Sequence, residues 1–289
     1  MKADLHCHSH FSDGGHPPEY LLRAALEQGL THLAITDHDC IAAHAGLKIP
    51  AGLKCISGVE ISCDWQGQEI HVVGLGFALN DQKLSNLLQR QQSSRRQRIA
   101  AFDSKLQAMD IHGLQAYIDA LPCHACTRSH VAHFLVQAGH SKNLQKAFKK
   151  FLGRRGHIYT AANWCSLEEA VQTITEAGGL TVLAHPGRYP LSKRKLLGLV
   201  EDFKSVGGVA LEASYANIHP DLQKQLTALA EAQQLFVSQG SDFHNAEAHW
   251  TAIGKFPSLG SQAQKNAIWQ HPGWHSLQMS GSECPKPAA

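Results

Sequence analysis

Apolar positions set the first frame. Lys2–His8 reads as a short strand. Pro17 and Pro18 open a helix that carries Leu21, Leu22, Ala25 and Leu26 on one side and stops at Gly29. His32–Thr36 is a buried strand type. Lys54–Ser57 leads through Gly58 into Val59-Glu60-Ile61, and Ile70–Leu75 is a further strand. From Asp81 to Arg155 strand signals vanish. Leu84, Leu87, Leu88, Ile99, Phe102, Leu106 and Met109 recur at helical spacings, and further helices are expected at about Thr127–Ala138 and Leu144–Phe151. The β-then-α rhythm then returns. Ser166 and Glu169 form a capping box, Leu180–Ala184 is a strand, and Ser192–Lys204 a helix. Val209–Ala213 is a strand, Asp221–Gln234 a helix, and Leu235–Gln239 the last clear strand.

This alternation predicts a parallel α/β architecture interrupted by a helical segment. The expected organisation is a discontinuous barrel over 1–80 and 156–258, a helical insert over 81–155, and an extension over 259–289 whose last residues, 280–289, fray.

Composition narrows the function classes. The 289 residues carry a net charge of +2, which argues against a strongly basic nucleic-acid coat and an acidic tail protein. Eight cysteines are too sparse for a disulfide scaffold. An N-terminus without an apolar core and the lack of a long apolar run predict a cytoplasmic protein with no membrane association. No obligate protein partner is evident. The unusual count is 20 histidines beside 24 acids, which points toward metal chemistry.

Their positions sharpen this. His6 and His8 share one face of the first strand, and Asp13 follows in a Ser-Asp-Gly turn. His38, Glu60, His71, His185, Asp242 and His244 fall at or near the ends of successive predicted strands, the edge where parallel α/β proteins build active sites. Imidazole and carboxylate suit Mn²⁺, Fe²⁺ or Zn²⁺. Nine such donors exceed what one ion uses, so two or three divalent ions are expected, an arrangement suited to in-line phosphoryl displacement.

Asp4-Leu5-His6-Cys7-His8, Ser12-Asp13-Gly14, Ile35-Thr36-Asp37-His38-Asp39, Gly58-Val59-Glu60, Ala184-His185-Pro186 and Ser241-Asp242-Phe243-His244 together resemble the PHP (polymerase and histidinol phosphatase) superfamily. Within it the chain is similar to the TrpH/YciV-like branch, which includes 3′,5′-nucleoside bisphosphate phosphatases and the 5′→3′ exoribonuclease RNase AM. The resemblance implies a distorted (β/α)7 barrel with a trinuclear centre. One ion would take His6, His8, Glu60 and Asp242; a second Asp13, His38 and His244; a third Glu60, His71 and His185, with Glu60 bridging. A metal-bound hydroxide held by Asp13, His38 and His244 would attack phosphorus.

Thr127-Arg128-Ser129-His130, Leu152-Gly153-Arg154 and Arg188-Tyr189 resemble that branch's substrate segments, although His133 stands where an Arg is common and Arg155-Gly156 replaces a Gly-Lys pair. They imply that Arg128, His130, Arg154 and Arg188 hold substrate phosphate. His219, at a strand end, is a further candidate. The implied reaction removes the 3′-phosphate of a nucleoside 3′,5′-bisphosphate, and the same centre would trim short single-stranded RNA. Alternatives are a histidinol phosphatase type of PHP enzyme and a non-catalytic nucleic-acid-binding module. Cys123-His124-Ala125-Cys126 lacks a second pair and a thioredoxin-like context, and is taken as buried or loop thiols. Gly74-Leu75-Gly76 lacks the rest of a dinucleotide fingerprint, and His10, His16 and His32 are taken as surface or supporting residues.

Overall fold

The computed structural model describes residues 1–248 and 251–280. In chain order the strands are β1 (Ala3–Asp4), β2 (His32–Ile35), β3 (Lys54–Trp65), β4 (Gln68–Leu75), β5 (Cys165–Ser166), β6 (Leu180–Leu183), β7 (Ala210–Ser214) and β8 (Phe236–Gln239). The principal helices are α1 (Pro18–Glu27), α2 (Gln82–Gln107), α3 (Leu114–Asp119), α4 (Arg128–Gln137), α5 (Leu144–Ala147), α6 (Leu167–Glu176), α7 (Lys193–Ser205) and α8 (Pro220–Ala232).

One eight-stranded sheet runs β1-β2-β3-β4-β6-β7-β8, with β5 paired to β3. It curls until its ends nearly meet. Leu5 N donates to Gln239 O at 3.1 Å, Asp242 N to His6 O at 2.7 Å, and His8 N to Phe243 O at 2.9 Å. The expected first strand is thereby split. Only Ala3–Asp4 ladders onto β2, while His6, Cys7 and His8 continue extended and bond mainly to the segment leaving β8.

The sheet is not all parallel, as the alternation predicted. β3 pairs antiparallel with β4, and β4 antiparallel with β6; the β1–β2, β2–β3, β3–β5, β6–β7 and β7–β8 pairs are parallel. The cause is a two-residue turn in which Gln66 and Gly67 both hold positive φ, 52° and 75°. That geometry matches strand twist and folds the chain straight back. Glu60 and His71 therefore lie within long strands rather than at strand ends. The register Ser62↔His71 puts Glu60 and His71 on the same face of the hairpin.

Ser166 caps α6 by accepting from Glu169 N at 3.1 Å, as its sequence suggests. The helix expected over Leu144–Phe151 divides into α5 and a π-turn at Phe148–Leu152. Helix α2 joins two cores. Leu84, Leu87 and Leu88 pack into the cluster formed by β3, β4, α6, α7 and α8, whereas Ile99, Phe102 and Leu106 pack with Leu114, Val131, Leu135 and Phe151 in a cluster of their own. Among the described residues, no helix is long and apolar enough to cross a membrane. Of the expected frayed tail, 281–289 lies outside the described residues.

Candidate metal centre

All nine candidate ligands converge on the barrel mouth, with Glu60 at the centre. Its Oε1 lies 2.9 Å from His71 Nδ1 and 2.9 Å from His185 Nε2. Its Oε2 lies 3.0 Å from His38 Nδ1, 3.3 Å from His8 Nε2 and 3.4 Å from His6 Nε2. Asp242 Oδ1 approaches His8 Nε2 at 3.2 Å and His6 Nε2 at 3.5 Å. Asp13 Oδ1 approaches His244 Nε2 at 3.3 Å and His38 Nε2 at 3.7 Å. Three groups have donor atoms close enough to share an ion: His8, Asp13, His38 and His244; His6, His8 and Glu60; and His38, Glu60 and His71.

The donor chemistry fits divalent cations. His6 Nε2, His8 Nε2, Asp13 Oδ1, His38 Nδ1 and Glu60 Oε2 are buried, make no hydrogen bond, and point into the shared space. Leaving so many buried polar atoms unmatched is costly unless something else binds them.

Charge is organised to match. Burial would raise the Glu60 pKa, but His38, His71 and His6 outweigh it and hold the carboxyl well below the usual range. Asp13 is likewise held low against burial by His244 and His38. Burial opposes the charged form of His71 and His244, yet Glu60 lifts His71 to about 9 and Asp13 with Asp242 lifts His244 to about 10. His38 goes the other way, because burial dominates.

Neighbouring loops fix these groups. Asp37 accepts from Ser9 N at 2.7 Å and Ser12 Oγ at 2.6 Å, pinning the turn that carries Asp13. His185 and Asp242 hold positive φ of 28° and 49°, a backbone region that non-glycine residues rarely enter and that clusters at functional sites. Gly240 has no alternative: a Cβ there would meet His6 Cβ at 2.3 Å.

Several contributors escaped the sequence reading. Glu212, buried in β7, engages His6 Nδ1 with both oxygens at 3.0 and 3.2 Å and accepts from His185 N at 2.6 Å. A carboxylate on the far nitrogen fixes the ring so that Nε2 faces the centre. Glu69 accepts from Arg128 Nη2 at 3.1 Å and Arg98 Nη1 at 3.3 Å. Asp39 accepts from Arg95 Nε at 2.8 Å, tying α2 to the floor of the site. Thr127 Oγ1 donates to Asp13 Oδ2 at 2.8 Å. The available signal was an acid inside an apolar strand, as in Val209-Ala210-Leu211-Glu212-Ala213.

The candidate substrate residues are placed less uniformly. Arg128 and Arg188 line a 230 Å³ cavity directly over the ligands. Arg188 also pairs with Asp242 through Nη1 and stacks on Tyr215 at 4.9 Å. His130 closes a capping box at the start of α4, its Nδ1 accepting from Thr127 N at 2.9 Å, and lines an adjoining 810 Å³ cleft with Arg188, Leu121 and Phe148. Arg154 stands further out, beside Gly67 O at 2.5 Å, on a 360 Å³ groove shared with Arg128, Tyr159 and Trp164. His219 is exposed, caps α8 by accepting from Asp221 N at 3.3 Å, and lines none of these spaces.

Comparison with known proteins agrees with this architecture. The family model described as PHP domain matches residues 4–162. The chain is 38% identical over 273 residues to the 5′-3′ exoribonuclease Rnm of Escherichia coli, covering 92% of each. It is 34% identical over 248 residues to the 3′,5′-nucleoside bisphosphate phosphatase of Chromobacterium violaceum, covering 83% of this chain and 86% of the relative. A solved Chromobacterium violaceum structure, described as an amidohydrolase with bound sulfate and no metal, superposes with a TM-score of 0.85 at 31% identity over 93% of this chain and 95% of its own. Its curled α/β sheet, its converging histidines and acids, and these likenesses lead to one assignment: the chain belongs to the PHP domain family.

Proposed function

We propose that the protein is a metal-dependent phosphoesterase that removes the 3′-phosphate from nucleoside 3′,5′-bisphosphates and trims short single-stranded RNA from its 5′ end. The observation that carries this reading is the set of buried, unbonded donor atoms gathered around Glu60 beneath a cavity edged by arginines. The names of the relatives support the substrate class.

In this reading His6, His8, Glu60 and Asp242, then Asp13, His38 and His244, and then Glu60, His71 and His185 hold two to three divalent ions. Mn²⁺ is foremost, and Fe²⁺ and Zn²⁺ suit the same donors. Such ions supply Lewis acidity and a water nucleophile activated near neutral pH. Glu212 and Asp37 keep the ligands oriented, and Thr127 holds the outer oxygen of Asp13. Arg128 and Arg188, already over the centre, and Arg154 further out position the phosphates that are not cleaved, while His130 lines the adjoining cleft. Residues 81–155 act as an insert that overhangs the mouth, with the barrel on either side in sequence. Seven free cysteines among the described residues fit a cytoplasmic setting.

The test is turnover by Mn²⁺-loaded protein on nucleoside 3′,5′-bisphosphates, nucleoside monophosphates, histidinol phosphate and 5′-phosphorylated short RNA. Preference for bisphosphate and RNA is expected. Preference for histidinol phosphate, or RNA binding without hydrolysis, would refute the reading.

A further inference from the structure

One thiol pair lies outside the metal centre. Cys123 and Cys126 flank His124-Ala125 just before α4, both half-buried, with their sulfurs 3.4 Å apart. Both line a cavity of 380 Å³ whose other walls include Gln92, Arg96 and Asp119, and Cys123 also lines the 810 Å³ cleft beside the metal centre; Cys126 is reached from the 380 Å³ side. Among the described residues another thiol pair, Cys63 and Cys165, is buried where β3 pairs with β5.

The loop is fastened to the metal side. His124 N and Ala125 N donate to Phe11 O at 2.8 and 3.2 Å. Cys126 O accepts from Arg95 Nη1 at 3.2 Å, and the next residue is Thr127, bonded to Asp13. A displacement at Cys126 is thus one residue from a contact to a candidate ligand.

We propose that Cys123 and Cys126 form a reversible disulfide, with a hydroperoxide as oxidant, and that closing it slows the enzyme by shifting Thr127 from Asp13. The Cys126 sulfur attacks the peroxide O–O bond, keeps one oxygen as a sulfenic acid and releases the other as water or alcohol. The Cys123 sulfur then attacks the Cys126 sulfur, the S–S bond forms, and the sulfenic oxygen leaves as water carrying the thiol proton. Two thiols lose two electrons and the peroxide gains them. A disulfide needs sulfurs at ~2.05 Å, so closure from 3.4 Å draws the two side chains together and pulls on the loop that leads into Thr127. The electrostatics favour Cys126 as the attacking group: the hydrogen bond from Cys123, then Arg95 and Arg96, lower its pKa against burial, while the same bond and burial push Cys123 up.

Only the rate effect rests on the phosphoesterase reading; the bridge itself does not. The test treats the full chain with hydrogen peroxide, alkylates the remaining thiols and maps the peptides. A Cys123–Cys126 bridge reversed by dithiothreitol is expected, with bisphosphate turnover falling about tenfold and returning on reduction. Cys126→Ser should form no bridge and keep its rate under the same treatment. No bridge, a Cys63–Cys165 bridge instead, or a bridged protein with full turnover would overturn the proposal. A reduced wild-type protein inactive on every phosphoester would refute the phosphoesterase reading, and the peptide map would still decide the thiol chemistry.

Discussion

The barrel mouth and the helical segment beside it handle charge in opposite ways. At the mouth, acids and imidazoles are buried or half-buried and meet one another: Glu60 alone contacts five histidines. Between Asp119 and Glu168 the chain has no acid at all, while Arg128, Lys142, Lys146, Lys149, Lys150, Arg154 and Arg155 carry positive charge. Most of these cations are exposed. Buried donors with unmatched atoms are preorganised for hard cations, where any misplacement is expensive. Exposed cations keep their hydration and their rotamer freedom, so each contributes modestly to holding an anion. The two regions should therefore respond very differently to single substitutions.

The largest effect is expected at the mouth. Asp13→Ala, His38→Ala or His244→Ala should cut turnover by at least about a hundredfold, the scale of losing a preorganised electrostatic group. Circular dichroism should stay unchanged, because the apolar clusters lie elsewhere. Near-normal turnover in any of the three would remove that residue from the centre.

Glu212→Gln probes the layer behind the ligands. Weakening the support of His6 should lower metal affinity about 10- to 100-fold, read by calorimetric titration of metal-free protein. Unchanged affinity would make Glu212 a packing residue.

On the other side of the comparison, Arg128→Ala should cost about 10- to 100-fold in kcat/KM on bisphosphate or RNA. It should leave p-nitrophenyl phosphate nearly untouched, since that substrate has no second phosphate. Equal losses on both would move Arg128 into the metal machinery, through its contact with Glu69.

The smallest signal is protonic. His71 and His244 have pKa values raised from 6.5 to about 9 and about 10, so both are protonated at neutral pH in the metal-free protein. Their ion pairs stabilise that form fully below about pH 6.5, and this contribution fades as pH rises through 9 and 10. Metal must displace these protons, so loading near pH 7 should release them and affinity should climb toward pH 10. Calorimetry in buffers of different ionisation enthalpy counts the protons; no release would contradict these charge states.

Much of this was legible in the sequence, for identifiable reasons. The His6/His8 spacing, the Ser-Asp-Gly turn and the acids near strand ends are local patterns, and the converging side chains follow them. The antiparallel β3–β4 hairpin was not legible. Its turn uses Gln66-Gly67, where Asn-Gly or Asp-Gly is the usual signal, so Glu60 and His71 were expected at strand ends rather than side by side within a hairpin. Glu212 was missed because its role depends on β7 lying against His6, more than two hundred residues away. His219 looked like a site residue by its position after a strand, but its ring is taken up in capping α8. Position after a strand shows which end of the barrel a residue occupies, not which way its side chain turns.

The central claim is that the nine convergent donors hold a cluster of ions and not a single one. Elemental analysis of protein purified without chelator and supplemented with Mn²⁺ tests it directly. Two to three ions per chain are expected, and one ion or fewer would contradict it.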